Sequence, residues 1–257
     1  MRFLLTNDDG IYAQGLHAIK QELEKYGEVV LIAPLTQQSA VGHTITISDP
    51  LKIIPINRSG AFYGYGVSGS PADCVKLGVS CIMDPLPDVV VSGINRGENI
   101  GINILYSGTV SAATEALILG FSGLALSVDN YLDPDYRACS VFGAKLAFKL
   151  AKMDVPLEYA LNVNCPSVPI DEISGVRWAR QGDSRFVDKF IKRVDPRGNT
   201  YYWQAGMTTI LDESPDTDAI CLKQGMICVT PIHYRLGAIP DNPTLHTMDL
   251  EGLLYGA

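Results

Sequence analysis

A chain of 257 residues with 47% hydrophobic and 19% charged residues has a globular balance, and its length fits one domain or one domain with an elaboration. The formal net charge of −8 disfavours a nucleic-acid polymer as partner, because a polyanion wants a basic face and basic residues concentrate only briefly, between Lys189 and Arg197. There is no run of about eighteen apolar residues to predict a membrane helix, and the N-terminus turns acidic at Asp8 and Asp9 before a signal peptide could form, so a cytoplasmic protein with no membrane partner is expected.

Phe3-Leu4-Leu5-Thr6 is a short apolar run ending in the polar turn Asn7-Asp8-Asp9-Gly10. Leu16, Ile19 and Leu23 at helical spacing predict a helix that closes at Gly27, and Val29 to Ala33 predict a continuous apolar strand stopped by Pro34. Strand, helix and buried strand in this order read as a βαβ unit with a parallel sheet. Thr44-Ile45-Thr46-Ile47 and Phe62-Tyr63-Gly64-Tyr65 alternate instead, which predicts antiparallel strands attached to that sheet. Ser70-Pro71-Ala72-Asp73 carries the signature of a capped helix start, and Asp88 to Ser92 a further buried strand that runs into a glycine-rich loop. Ser107-Gly108-Thr109 opens another helix, Leu124 to Val128 the next strand, Tyr136 to Met153 the longest helix and Ala160 to Asn164 a later strand. Past Pro166 prolines, aromatics and charges increase, and helical periodicity returns only over Thr247 to Leu254. The expected architecture is a single α/β domain, a Rossmann-like, mostly parallel sheet with an antiparallel β elaboration. Its core spans about 1–165, and an appended C-terminal oligomerisation region spans about 166–257. The six cysteines form no CxxC pair and sit mostly among apolar neighbours, which predicts buried free thiols.

Ligands of an open parallel sheet bind beyond the C-terminal ends of its strands. Three polar groups fall there: Asn7 to Gly10, Gln37-Gln38-Ser39, and Ser92-Gly93-Ile94-Asn95-Arg96-Gly97. Adjacent carboxylates repel unless a cation lies between them, so Asp8 and Asp9 point to a hard divalent ion whose oxygen shell Ser39 and Asn95 would complete. A helix cap and turn built with Gly10 is the competing reading of the same residues. Ser107-Gly108-Thr109 at a helix start suits a phosphate, or serves as an ordinary cap. Arg96 fits either phosphate or a structural ion pair. His43 reads as a surface residue and Asp73 as a capping partner, and Tyr201-Tyr202-Trp203 reads as core or interface.

Asn7 to Gly10, Gly69-Ser70-Pro71-Ala72-Asp73-Cys74-Val75, Ser92 to Gly97 and Tyr106-Ser107-Gly108-Thr109-Val110 together resemble the SurE family of stationary-phase survival phosphatases, in the same order and at similar spacing. Thr217-Asp218 and Val229-Thr230-Pro231 resemble its C-terminal part, so the likeness spans almost the whole chain. Ser70 stands where members commonly have threonine, and Ser111 where many have glycine or alanine; both keep a small side chain. The resemblance implies a 5'-nucleotidase that acts on nucleoside monophosphates, in some members also a 3'-nucleotidase or exopolyphosphatase. It further implies one divalent ion per subunit, Mg2+ or Mn2+, and a homodimer or homotetramer with exchanged C-terminal elements. Carried over by position, the metal ligands fall on Asp8, Asp9, Ser39 and Asn95, and phosphate binding falls on Ser107, Gly108 and Thr109 with Asn99 beside them. Asp9 is the candidate acid/base of a reaction in which an activated water attacks phosphorus. An aspartyl-phosphate enzyme and a non-catalytic nucleotide-binding regulator are the rival expectations.

Overall fold

The computed structural model describes residues 1–154 and 158–237. Its elements in chain order begin β1 (Arg2–Thr6), α1 (Gln14–Leu23), β2 (Glu28–Pro34), β3 (Ile53–Arg58), β4 (Ala61–Val67), α2 (Pro71–Leu77), β5 (Val89–Arg96) and α3 (Gly108–Ile118). They continue with β6 (Ser122–Val128), α4 (Arg137–Leu150), β7 (Ala160–Cys165), β8 (Gly175–Trp178), β9 (Ser184–Val194), β10 (Thr200–Ile210), α5 (Asp218–Lys223) and β11 (Met226–Ile232). Among the described residues the main sheet has nine strands in the order β3-β4-β2-β1-β5-β6-β7-β11-β8. The central run from β4 to β7 is parallel, and β3 and β11 pair antiparallel with their neighbours β4 and β7.

The continuous apolar strands are buried on both faces, and the alternation of a pleated chain divides them. Phe3, Leu5, Val89, Val91, Leu124 and Leu126 face the layer holding Leu16, Ile19 and Leu23 of α1 and Ala144 and Ala147 of α4. Leu4 and Val90 face the opposite layer, with Cys74 and Val75 of α2 and Ala112 and Ala116 of α3. Burial of this kind stabilises by about 25 cal/mol for each Å² of apolar surface removed from water. The helices therefore cover the sheet's faces and leave the C-terminal ends of β1, β2 and β5 open along one edge.

The sequence expectation fails over Thr44 to Ile47, which is irregular and not a strand. Its polar backbone groups go to the start of α2 instead: the Thr46 N–H and hydroxyl donate to Asp73, and the Ser70 hydroxyl donates to the Thr44 carbonyl. The antiparallel pair forms later, as β3 and β4, and joins the sheet through β4 alongside β2. Ser70 and Asp73 make a reciprocal capping box, as their spacing predicts. Beyond residue 166, β8 and β11 are strands of the main sheet, whereas β9 and β10 form a separate two-stranded ribbon. Thr247 to Leu254 lie outside the described residues. All six cysteines are free; Cys81 is exposed and the others are buried.

Candidate active site

The turn after β1 is set by its own side chains. Asn7, fully buried, donates to the Gly10 carbonyl at 3.0 Å and accepts from the Gly10 N–H at 3.2 Å. Gly10 takes φ of +95°, a left-handed conformation that suits glycine. This brace presents Asp8 and Asp9 in succession at the sheet edge.

Asp8 is 6% exposed and turns toward the start of α3, where its carboxylate accepts the Thr109 N–H at 3.1 Å and the Thr109 hydroxyl. A Cβ added at Gly108 would come within 2.8 Å of the Asp8 Cβ, so only glycine admits this approach. Burial pushes the Asp8 carboxyl up to about 6, with the negative charge of Asp9 adding to the rise and the Thr109 hydrogen bonds opposing it. Burial also raises Asp9, against the pull of Arg96, whose guanidinium stands 3.9 Å away and whose N–H donates at 3.4 Å. Arg96 packs over the Tyr131 ring, 5.3 Å from its centroid.

Asp8, Asp9, Ser39, Asn95, Asn99 and Ser107 line one cleft of about 210 Å³, together with Gln37, Arg96, Asn103, Tyr106 and Tyr131. The Asn95 amide nitrogen donates to the Gly97 carbonyl at 2.8 Å, which leaves its oxygen for the cleft. The Ser39 hydroxyl accepts from Gln37 at 2.8 Å. Ser107 caps α3 by accepting from the Val110 N–H at 3.2 Å. Thr109 is fully buried, and both of its donors are spent on Asp8. Of the phosphate candidates, Asn99 and Ser107 thus face the cleft, while Gly108 and Thr109 stand behind Asp8.

Asn99 is fixed by residues to which sequence reasoning gave no role. Its N–H donates to Asn164 at 2.7 Å, and its carbonyl accepts from Asn162 at 2.8 Å and Asn164 at 3.0 Å. Its side chain donates to Ser127 at 2.9 Å. The signal was two amides at alternating positions inside the apolar strand β7. A second cavity of about 500 Å³ shares Asp9 and Arg96 with the cleft and is lined further by Tyr12, Gln14 and Tyr136, among others. Burial and the charge of Asp9 push the Tyr136 phenol up to about 12, so it keeps its proton near neutrality.

Among the described residues no three His, Cys, Asp or Glu side chains gather as a metal cluster. The cleft offers two carboxylates with neutral amide and hydroxyl oxygens, a donor set that fits a hard divalent cation better than zinc or copper. Two neighbouring carboxyls, Asp8 buried and Asp9 half-buried, both titrating above their ordinary range, fit a site in which a cation offsets their charge.

The family model described as "Survival protein SurE" matches residues 3–188. A protein named 5'-nucleotidase SurE from Syntrophobacter fumaroxidans is 47% identical over 236 residues, covering 92% of this chain and 94% of that protein. Another of the same name, from Syntrophus aciditrophicus, is 47% identical and covers 92% of this chain and 89% of its own. The crystal structure of a SurE protein from Aquifex aeolicus superposes with a TM-score of 0.81 at 34% identity, covering 99% of this chain and 100% of that one.

Proposed function

The chain belongs to the SurE family of survival proteins, and from that premise we propose that it hydrolyses the phosphomonoester of nucleoside 5'-monophosphates with a divalent metal ion. The observation that carries the reading is the adjacent pair of buried Asp8 and half-buried Asp9 at the sheet edge, facing neutral oxygen donors across the cleft. One ion per subunit, Mg2+ or Mn2+, would be held by Asp8, Asp9, Ser39 and Asn95, and when bound it would polarise a phosphoryl oxygen and acidify a water.

The chain's own groups do the rest. Thr109 holds the Asp8 carboxylate in one orientation, and Ser107 and Asn99 border the space a phosphate would take. Asp9 is the candidate acid/base for the leaving alkoxide, because it faces the cavity shared with Tyr12 and Tyr136. That cavity is large enough for a nucleoside. Water is a better nucleophile than Asp8, since both Asp8 oxygens are engaged by Thr109 and the residue two places on is Gly10, which has no side chain to act as acid. Configuration at a chiral phosphorus should therefore invert.

The case for assembly rests on the ribbon: β9 and β10 pair only with each other among the described residues and carry Phe190, Tyr202 and Trp203 exposed. An isolated two-stranded ribbon is marginal in water, which supports a homodimer or homotetramer in which it meets another copy. No helix among the described residues is long and apolar enough to cross a membrane, which is compatible with a cytoplasmic enzyme.

The test is a phosphate-release screen over 5'- and 3'-monophosphates and polyphosphate, after chelation and with Mg2+ or Mn2+ restored. Release from 5'-monophosphates only with metal is expected. Full activity after rigorous chelation would overturn the metal reading, and no turnover of any phosphate would favour the regulator.

A further inference from the structure

Glu115 is a carboxylate on α3 that the mechanism does not use, and it is 3% exposed. Two segments distant in sequence are drawn to it. His43 Nε2 donates to one of its oxygens at 2.7 Å, and Lys76 Nζ donates to the other at 3.0 Å. Burial alone would push this carboxyl up; the hydrogen bonds from His43 and Lys76 outweigh it and hold it below its ordinary range. His43 is gripped at its other nitrogen too, with Nδ1 3.3 Å from the Thr114 hydroxyl.

His43 lies in the irregular segment between β2 and β3, four places after Ser39. That segment does not rest in a relaxed conformation. Ala40 has φ of +55°, a left-handed geometry that is strained for a residue bearing a side chain. It persists only if its surroundings hold it. The Gln38 N–H donates to the Asp8 carbonyl at 2.7 Å on one side, and the Gly42 N–H donates to the Tyr106 carbonyl at 3.0 Å on the other. The His43–Glu115 contact follows directly and is the one anchor of the three made to a buried charge, where hydrogen bonds are worth about twice a neutral one. The helix that carries Glu115 also carries Thr109, which holds Asp8. Six residues of helix separate these two grips by about 9 Å.

We infer that Glu115 is a positioning residue for the ion site: through His43 it holds the Ser39 segment in place, so that one helix, α3, sets both the Asp8 side and the Ser39 side of the cleft. The inference rests on the metal reading above. Lys76 balances the charge of Glu115 through the other carboxylate oxygen, and so separates the electrostatic role of the carboxylate from its grip on His43.

The experiment measures Mn2+ binding to the metal-free protein by calorimetry, apart from any turnover. His43 is on the surface, so its variants keep the fold. His43→Ala should weaken Mn2+ binding about 10- to 100-fold, the range seen when a group behind a metal ligand is lost. His43→Gln, whose amide can still donate to Glu115, should recover most of that loss, and Lys76→Met should bind as the wild type does. Unchanged binding by His43→Ala would overturn the inference, as would an equal loss in Lys76→Met or no recovery in His43→Gln. A wild-type protein that takes up no Mn2+ would remove the metal reading, and this inference with it.

Discussion

The sheet edge around Asp8 and the β9–β10 ribbon are built on opposite plans. At the edge, polar side chains are buried and matched: Asn7 with Gly10, Asp8 with Thr109, Asn99 with three residues of β6 and β7. On the ribbon, backbone pairing runs unbroken from Ser184 against Ile210 to Val194 against Thr200, yet large apolar side chains stand in solvent, Trp203 at 62% exposed. One region spends its hydrogen bonds on fixing groups that would otherwise repel or wander. The other leaves apolar surface uncovered, as an interface does before its partner arrives. On the proposed reading, chemistry is located where the chain is most constrained, and association where it is least buried.

The sharpest break in this comparison is a change at the constrained end. Asp9→Ala removes a candidate ligand and the candidate acid together, and kcat/KM should fall by about three orders of magnitude or more, about 4 kcal/mol in the transition state. The circular dichroism spectrum should stay that of the parent. Activity within tenfold of the parent would take Asp9 out of the site.

The ribbon is tested by removing it. Replacing the chain from Val187 to Met207, which face each other in register, with an Asn-Gly turn keeps the hairpin base and deletes the exposed part. Sedimentation should then show a smaller assembly, down to the monomer, while the unassociated protein keeps its helical signal. An unchanged assembly would place the interface elsewhere.

A smaller effect is expected behind Asp8. Thr109→Val keeps the backbone donor and loses the hydroxyl, so kcat/KM should drop about 10- to 100-fold, or about 1.4–2.8 kcal/mol. If thermal stability alone changes, Thr109 serves only the helix.

The last effect has the opposite sign. Asp8 titrates at about 6 in the fold against an ordinary 3.8, so the folded metal-free protein holds this proton more tightly than the unfolded chain does. That contribution to stability is complete below about pH 4 and disappears as pH rises through about 6. Asp8→Asn should therefore stabilise the metal-free protein at pH 7.5 by about 3 kcal/mol, and most of the gain should be gone near pH 4. Urea denaturation at the two values measures it. Equal gains at both would mean that the charge of Asp8 is not what burdens the fold.

The parallel core was legible in the sequence because runs such as Phe3-Leu4-Leu5 and Val89-Val90-Val91 are apolar at every position, which only a strand covered on both faces requires. The gathering of Asp8, Ser39 and Asn95 followed from the same logic, since Asp8 and Ser39 lie past strand ends and Asn95 stands at the C-terminal end of β5. What the sequence concealed were partners far along the chain. Thr44 to Ile47 alternates like a strand, but its hydrogen-bond partner Asp73 is 27 residues beyond Thr46. Ser107 and Thr109 look equivalent at a helix start, yet a carboxylate 101 residues before Thr109 takes its donors, and Ser107 alone reaches the cleft. Periodicity reports burial; it does not report which polar group will meet which.

The amide cluster around Asn99 has a consequence for how the protein breathes. Residues 97–100 belong to no strand or helix, and such a connection would ordinarily exchange its amide hydrogens with solvent through small local openings. Here the Asn99 N–H is bound by the Asn164 side chain rooted in β7, and its carbonyl is held by the amide nitrogens of Asn162 and Asn164 from the same strand. Releasing that hydrogen requires separating the connection from β7, deep inside the sheet. Deuterium uptake at Asn99 should accordingly run on the slow clock of β7 itself, making an irregular connection one of the last parts of the cleft to open.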